Sequence, residues 1–111
     1  MDASMGPGGR DDFVPAPVLS AEDVAEHLGQ LAGWNIDNAR LVKSFHFQTS
    51  GDAVLFVNRA CETAQTRNHH PHMYWWKRDV RIELYTHKSN GLTIRDFNFA
   101  ACCDNLSEKA A

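Results

Sequence analysis

The eight residues from Val80 to His87 constrain the fold most strongly. Val80, Ile82, Leu84 and Thr86 alternate with Arg81, Glu83, Tyr85 and His87. Successive side chains on a strand point to opposite faces, so this stretch offers one face to a core and one to water. A sheet that is dry on one side only is built from antiparallel strands, with helices packed on the dry side. The neighbouring sequence supplies partners. Met73 and Trp75 begin another strand just upstream, and Lys77-Arg78-Asp79 reads as a turn or an interruption. Earlier, Trp34 and Ile36 alternate with polar residues, Asp37-Asn38 marks a turn, and Leu41, Phe45 and Phe47 share one side of a second strand with Lys43.

Between these two hairpins the period changes from two to about 3.6. Ala53, Val54, Val57, Ala60, Cys61 and Ala64 predict a helix from Asp52 to about Thr66, narrow and alanine-rich enough to pack closely on a sheet. A first helix opens at Ser20, which with Asp23 resembles a capping box; Leu19 is placed to staple against Val24. Val24, Leu28 and Leu31 continue that helix toward Gly33. A last helix opens at Thr93 and Asp96, again in capping-box spacing, with Leu92 placed against Phe97, and carries Ala100, Ala101 and Leu106 toward the C-terminus. The predicted fold is α+β: a four-stranded antiparallel sheet with three helices on one face, in the order α-β-β-α-β-β-α. Residues 1–17, rich in Gly, Pro, Asp and Ala, are expected to form a disordered tail ahead of one folded domain over 18–111.

Composition bounds the function classes. With 43% hydrophobic residues in a chain of 111, one core of ordinary size is available. A net charge of −3 gives no general affinity for nucleic acid. Cys61, Cys102 and Cys103 are odd in number and lack metal spacing, which points to reduced thiols. No apolar run is long enough for a membrane helix and no secretory signal opens the chain, so a cytoplasmic protein is expected.

Chemistry is concentrated in Asn68-His69-His70-Pro71-His72. Neutral imidazoles give and take protons near pH 7, so a pair can serve as acid and base in one step. Pro71 stops the helix and pushes His70 into extended backbone, where adjacent histidines point to opposite faces. One histidine acting as a helix cap with the other exposed is the structural alternative. His70, His72 and His87 also allow a metal reading, but no H-E-x-x-H is present and no metal is expected. Asp96 has a structural role available as the acid near a helix N-terminus.

The combination of Gly33-Trp34, Phe45-His46-Phe47, His69-His70-Pro71, Thr86-His87, Gly91-Leu92-Thr93 and Arg95-Asp96 resembles the pterin-4a-carbinolamine dehydratases, from about Ser20 to the C-terminus. The resemblance implies the same α+β fold. It implies dehydration of 4a-hydroxytetrahydrobiopterin to quinonoid dihydropterin and water, in the recycling of tetrahydrobiopterin, without metal or other cofactor. It places His69, His70 and His87 around the pterin as catalytic residues. One would take the proton at N5 and another would protonate the departing hydroxyl. It gives Trp34, Gln65, Asn68, Pro71, Thr86, Arg95 and Asp96 to substrate binding, with Asp96 orienting a histidine or the pterin. Homodimers or homotetramers are implied, and so is a rival role: a non-catalytic interaction protein, either a transcription-factor dimerisation cofactor or a RuBisCO assembly factor. Two positions depart from the pattern. Gln65 stands where the family usually has an acid, and an amide supplies no charge. Lys77 stands where it favours an aromatic, just after Trp75 and Trp76.

Overall fold

The computed structural model describes residues 15–110. Of the tail expected over 1–17, residues 1–14 lie outside the described residues. The elements are α1 (Ala21–Leu28), β1 (Asn35–Asp37), β2 (Arg40–His46), α2 (Ser50–Arg67), β3 (His72–Trp76), β4 (Asp79–Leu84) and α3 (Ile94–Ala110). They form the expected α+β architecture in the expected order. The sheet order is β1-β2-β4-β3 and every pairing is antiparallel. The second strand of each hairpin therefore lies at the centre, and the first strands form the edges.

The alternation in β4 is realised as read. Val80, Ile82 and Leu84 are fully buried, and they face Phe45, Lys43 and Leu41 across the β2–β4 ladder. The opposite face is charged: Arg81 donates to Asp37 and to Glu83, at 3.0 Å each. The strand stops at Leu84, three residues short of the pattern, and Thr86 makes only an isolated bridge to Gly91.

The capping residues set the helix starts. Ser20 Oγ accepts from the Asp23 amide and Thr49 Oγ1 from the Asp52 amide. Helix α1 ends at Leu28 rather than near Gly33, because Gln30 and Leu31 bond three residues back and tighten the chain; Leu31 still packs on the core. Helix α2 begins at Ser50, just after the Thr49 cap, and its buried stripe is Ala53, Phe56, Ala60 and Ala64. Val54 and Cys61, counted in the predicted stripe, are exposed instead, and Phe56 anchors the helix. Its ring lies 4.8 Å from that of Phe45 and 5.1 Å from that of Phe47. Burial pushes the Cys103 thiol on α3 well above its ordinary range, keeping it neutral.

Lys43 occupies the core-facing row of β2 and needs a partner there. Its ammonium donates to Asp104 Oδ1 at 2.8 Å and to the Ala32 carbonyl at 2.9 Å. Trp34 Nε1 donates to the same carboxylate at 3.1 Å. Gly33, at φ +83°, lets the chain pass over the lysine stem, because a Cβ there would come within 3.1 Å of Lys43 Cε. Trp34, just before β1, and Lys43, on β2, are thus both pinned to one carboxylate on α3. Replacing Asp104 by Ala leaves the buried Trp34 Nε1 without its acceptor and the Lys43 ammonium with the Ala32 carbonyl alone, and is expected to lower stability by about 1–3 kcal/mol in a urea titration. The double variant Lys43→Met/Asp104→Leu, which removes charge on both sides, is expected nearer wild type; equal losses in the two proteins would refute this account.

Candidate active site

The site begins at the exit of α2. Asn68 adopts the left-handed conformation, φ 52° and ψ 43°. Its amide bonds to Gln65 O and that of His69 to Ala64 O, which is the Schellman pattern of helix termination. Asparagine tolerates this backbone better than most residues. Beyond the turn the two adjacent histidines separate: His69 is buried, 7% exposed, and His70 is exposed.

His69 meets Asp96, which is wholly buried. His69 Nε2 lies 2.7 Å from Asp96 Oδ1. Thr86 Oγ1 donates to Asp96 Oδ2 at 2.7 Å, and the Thr93 amide donates to the same oxygen at 3.0 Å. With Thr86 donating there, its oxygen accepts from the Thr93 hydroxyl, 2.8 Å away, and Thr93 Oγ1 in turn accepts from the Arg95 amide at 3.2 Å. A carboxylate only accepts, so Nε2 of His69 carries the proton shared in this contact. The Asp96 carboxylate at the start of α3 also complements the helix dipole. Among the described residues, every buried side-chain polar atom has a partner.

Arg95 ties the two helices together. Its Nη2 donates to the carbonyls of Arg67 and Asn68, both at 3.0 Å, placing a cation on the C-terminus of α2. His87 sits on the turn after β4. Its ring is 5.7 Å from that of His72 and 5.2 Å from that of Tyr85.

A cavity of about 450 Å3 opens here, lined by Asn68, His69, His70, Tyr85, Thr86, His87, Lys88 and Arg95. That volume falls in the range of small-molecule sites. Six residues proposed from sequence meet at one wall or another: the three histidines, Asn68, Thr86 and Arg95. Asp96 stands directly behind His69 and Thr86. Pro71 and Gln65 are not among the lining residues; Gln65 is exposed on the last turn of α2, with its carbonyl in the helix cap. Trp34 is not among them either, and holds Asp104 in the core. Lys77 is exposed in the β3–β4 turn at φ 55°. Tyr85 and Lys88 line the cavity without having been singled out. Their signal was positional, since they flank Thr86-His87 on a chain that turns there. Among the described residues, no group of three or more His, Cys, Asp or Glu side chains is placed to hold a metal ion.

Comparison with known proteins gives one answer. The profile of a family described as Pterin 4 alpha carbinolamine dehydratase matches residues 17–106. A Rubrobacter xylanophilus protein, provisionally named pterin-4-alpha-carbinolamine dehydratase, is 42% identical over 92 residues, covering 81% of this chain and 85% of that protein. A Rhizobium meliloti protein with the same provisional name is 36% identical over 92 residues, covering 81% of this chain and 88% of that protein. The crystal structure of a transcriptional coactivator/pterin dehydratase from Brucella melitensis superposes with a TM-score of 0.79 at 27% identity, covering 81% of this chain and 98% of that one. Sequence and fold agree over the same stretch, and the chain belongs to the pterin-4a-carbinolamine dehydratase family.

Proposed function

We propose that the cavity binds a 4a-hydroxytetrahydropterin and removes its hydroxyl as water, leaving the quinonoid dihydropterin. The observation that carries this reading is the meeting of three imidazoles at one cavity of suitable size. The C4a–O bond breaks with its electron pair going to oxygen, and an imidazolium gives the proton that completes water. A neutral imidazole takes the N5 proton, and the freed pair forms the N5=C4a double bond. The change needs no oxidant or reductant. His69 and His87 are assigned to these two transfers. Asp96 fixes the ring of His69, and the turn after β4 presents His87 from the facing segment. His70, Asn68 and Arg95 complete the wall that receives the pterin.

Self-association belongs to the same proposal. Strand β3 is a sheet edge, and its Tyr74, Trp75 and Trp76 are 55%, 50% and 72% exposed. Unpaired backbone beside exposed aromatics suits pairing with a second copy into a homodimer or homotetramer. No helix among the described residues is long and apolar enough to cross a membrane.

A dehydration assay on the 4a-hydroxytetrahydropterin tests the activity. His69→Ala and His87→Ala are each expected to lower kcat by about 10²–10⁴-fold. A wild-type rate equal to the uncatalysed background would remove the enzyme reading and leave the interaction protein. Asp96→Asn sets an amide donor against groups that already donate. It is expected to cost about 1–3 kcal/mol in thermal or urea unfolding and to move the His69 proton to Nδ1, visible in ring 15N shifts. Unaltered shifts would contradict the hydrogen-bond assignment. Sedimentation is expected to show a dimer or larger for the wild type and a monomer for Trp76→Glu; a monomeric wild type ends the association claim.

A further inference from the structure

His87 stands on a turn, Tyr85 to Leu92, that follows the end of the sheet. Four backbone bonds close it: Thr86 N to Gly91 O at 3.2 Å, Gly91 N to Thr86 O at 3.4 Å, Ser89 N to Thr86 O at 3.2 Å and Asn90 N to His87 O at 3.1 Å. Tyr85, Thr86, His87 and Lys88 line the cavity. The later residues of the turn meet another part of the chain. The Leu19 amide donates to the Leu92 carbonyl at 2.9 Å, and Ser89 Oγ donates to the Ala16 carbonyl. Between these two bonds Val18 lies flat against Gly91. A Cβ built on Gly91 would sit 2.9 Å from Val18 Cγ1 and 3.1 Å from Cγ2. Gly91 does not occupy the left-handed backbone region, so its missing side chain is what the contact requires. Val18 itself stays 54% exposed, so burial of its side chain does not explain the seat.

We propose that Ala16–Leu19 is a strap that positions His87, acting through Ser89 and Gly91 on the back of the turn. The catalytic part of this inference rests on the dehydratase reading above; the structural part does not. Neither Ser89 nor Gly91 is among the residues lining the cavity, so both are positioning residues. Their effect is on where the imidazole stands and how firmly it stays there.

The test uses Gly91→Ala in the full chain. The added methyl displaces Val18 without forbidding the backbone. The His87 Cε1–H resonance is expected to shift or broaden, the Thr86 amide to exchange faster with solvent, and the His69 resonance to stay in place. The double variant Val18→Ala/Gly91→Ala makes room for the methyl and is expected to return both signals toward wild type. In the dehydration assay kcat of Gly91→Ala is expected to fall toward the about 10²-fold loss that slight misplacement of a reacting group produces, with KM little changed. An unmoved His87 resonance, or no rescue by Val18→Ala, overturns the strap. An inactive wild type refutes the dehydratase reading alone, because the ring signals still decide the strap. An active wild type whose kcat survives Gly91→Ala overturns its role in positioning.

Discussion

The buried carboxylate of Asp96 is the constraint on which the rest depends. An ionised group without water is costly unless every lone pair facing the interior is matched. Here the matches come from three places: the exit of α2 through His69, the end of β4 through Thr86, and the start of α3 through Thr93. None of these segments can move alone without leaving the charge short of a donor. The requirement that keeps the fold closed therefore also fixes the tautomer and direction of the imidazole at the cavity. Stability and chemistry are imposed by one set of bonds.

The left-handed turn at Asn68 resolves a difficulty that the adjacent histidines raise. Two neighbours in extended chain point apart, which would close a shared cavity to one of them. The turn places His69 inward against Asp96 while His70 stays in the open, and both still border the same space. Arg95 holds this turn by its carbonyls from the next helix in the chain. The cluster works as an inner and an outer layer rather than as a pair.

Much of this was legible in the residues. Alternation in Val80–Leu84, the Ser20 cap, the Thr93–Asp96 spacing and the break at Pro71 are local signals, and local geometry obeys them. What stayed hidden depends on contacts between distant segments. Nothing near Lys43 names Asp104 as its partner, and nothing in the two hairpins says that their second strands pair. The predicted α2 stripe runs through Val54 and Cys61, whereas the volume between helix and sheet is filled by Phe56. Of the site, the histidines stood out because proton-handling side chains rarely cluster. Tyr85 and Lys88 did not, since their place follows from where β4 stops.

The turn after β4 has a bearing on how the protein ages. Asn-Gly is the dipeptide at which a backbone nitrogen most readily attacks the preceding carboxamide, because glycine offers no side chain to hinder it, and asparagine counts among the thermolabile residues. In Asn90-Gly91 both reactants are engaged: the carboxamide oxygen accepts from Tyr85 Oη at 2.7 Å, and the glycine amide points at the Thr86 carbonyl. Ring closure to a succinimide needs the glycine amide to leave the Thr86 carbonyl. The bonds that shape the cavity wall therefore also slow a spontaneous lesion that would lengthen the backbone beside it, and loosening the turn would shorten the chemical lifetime of the chain.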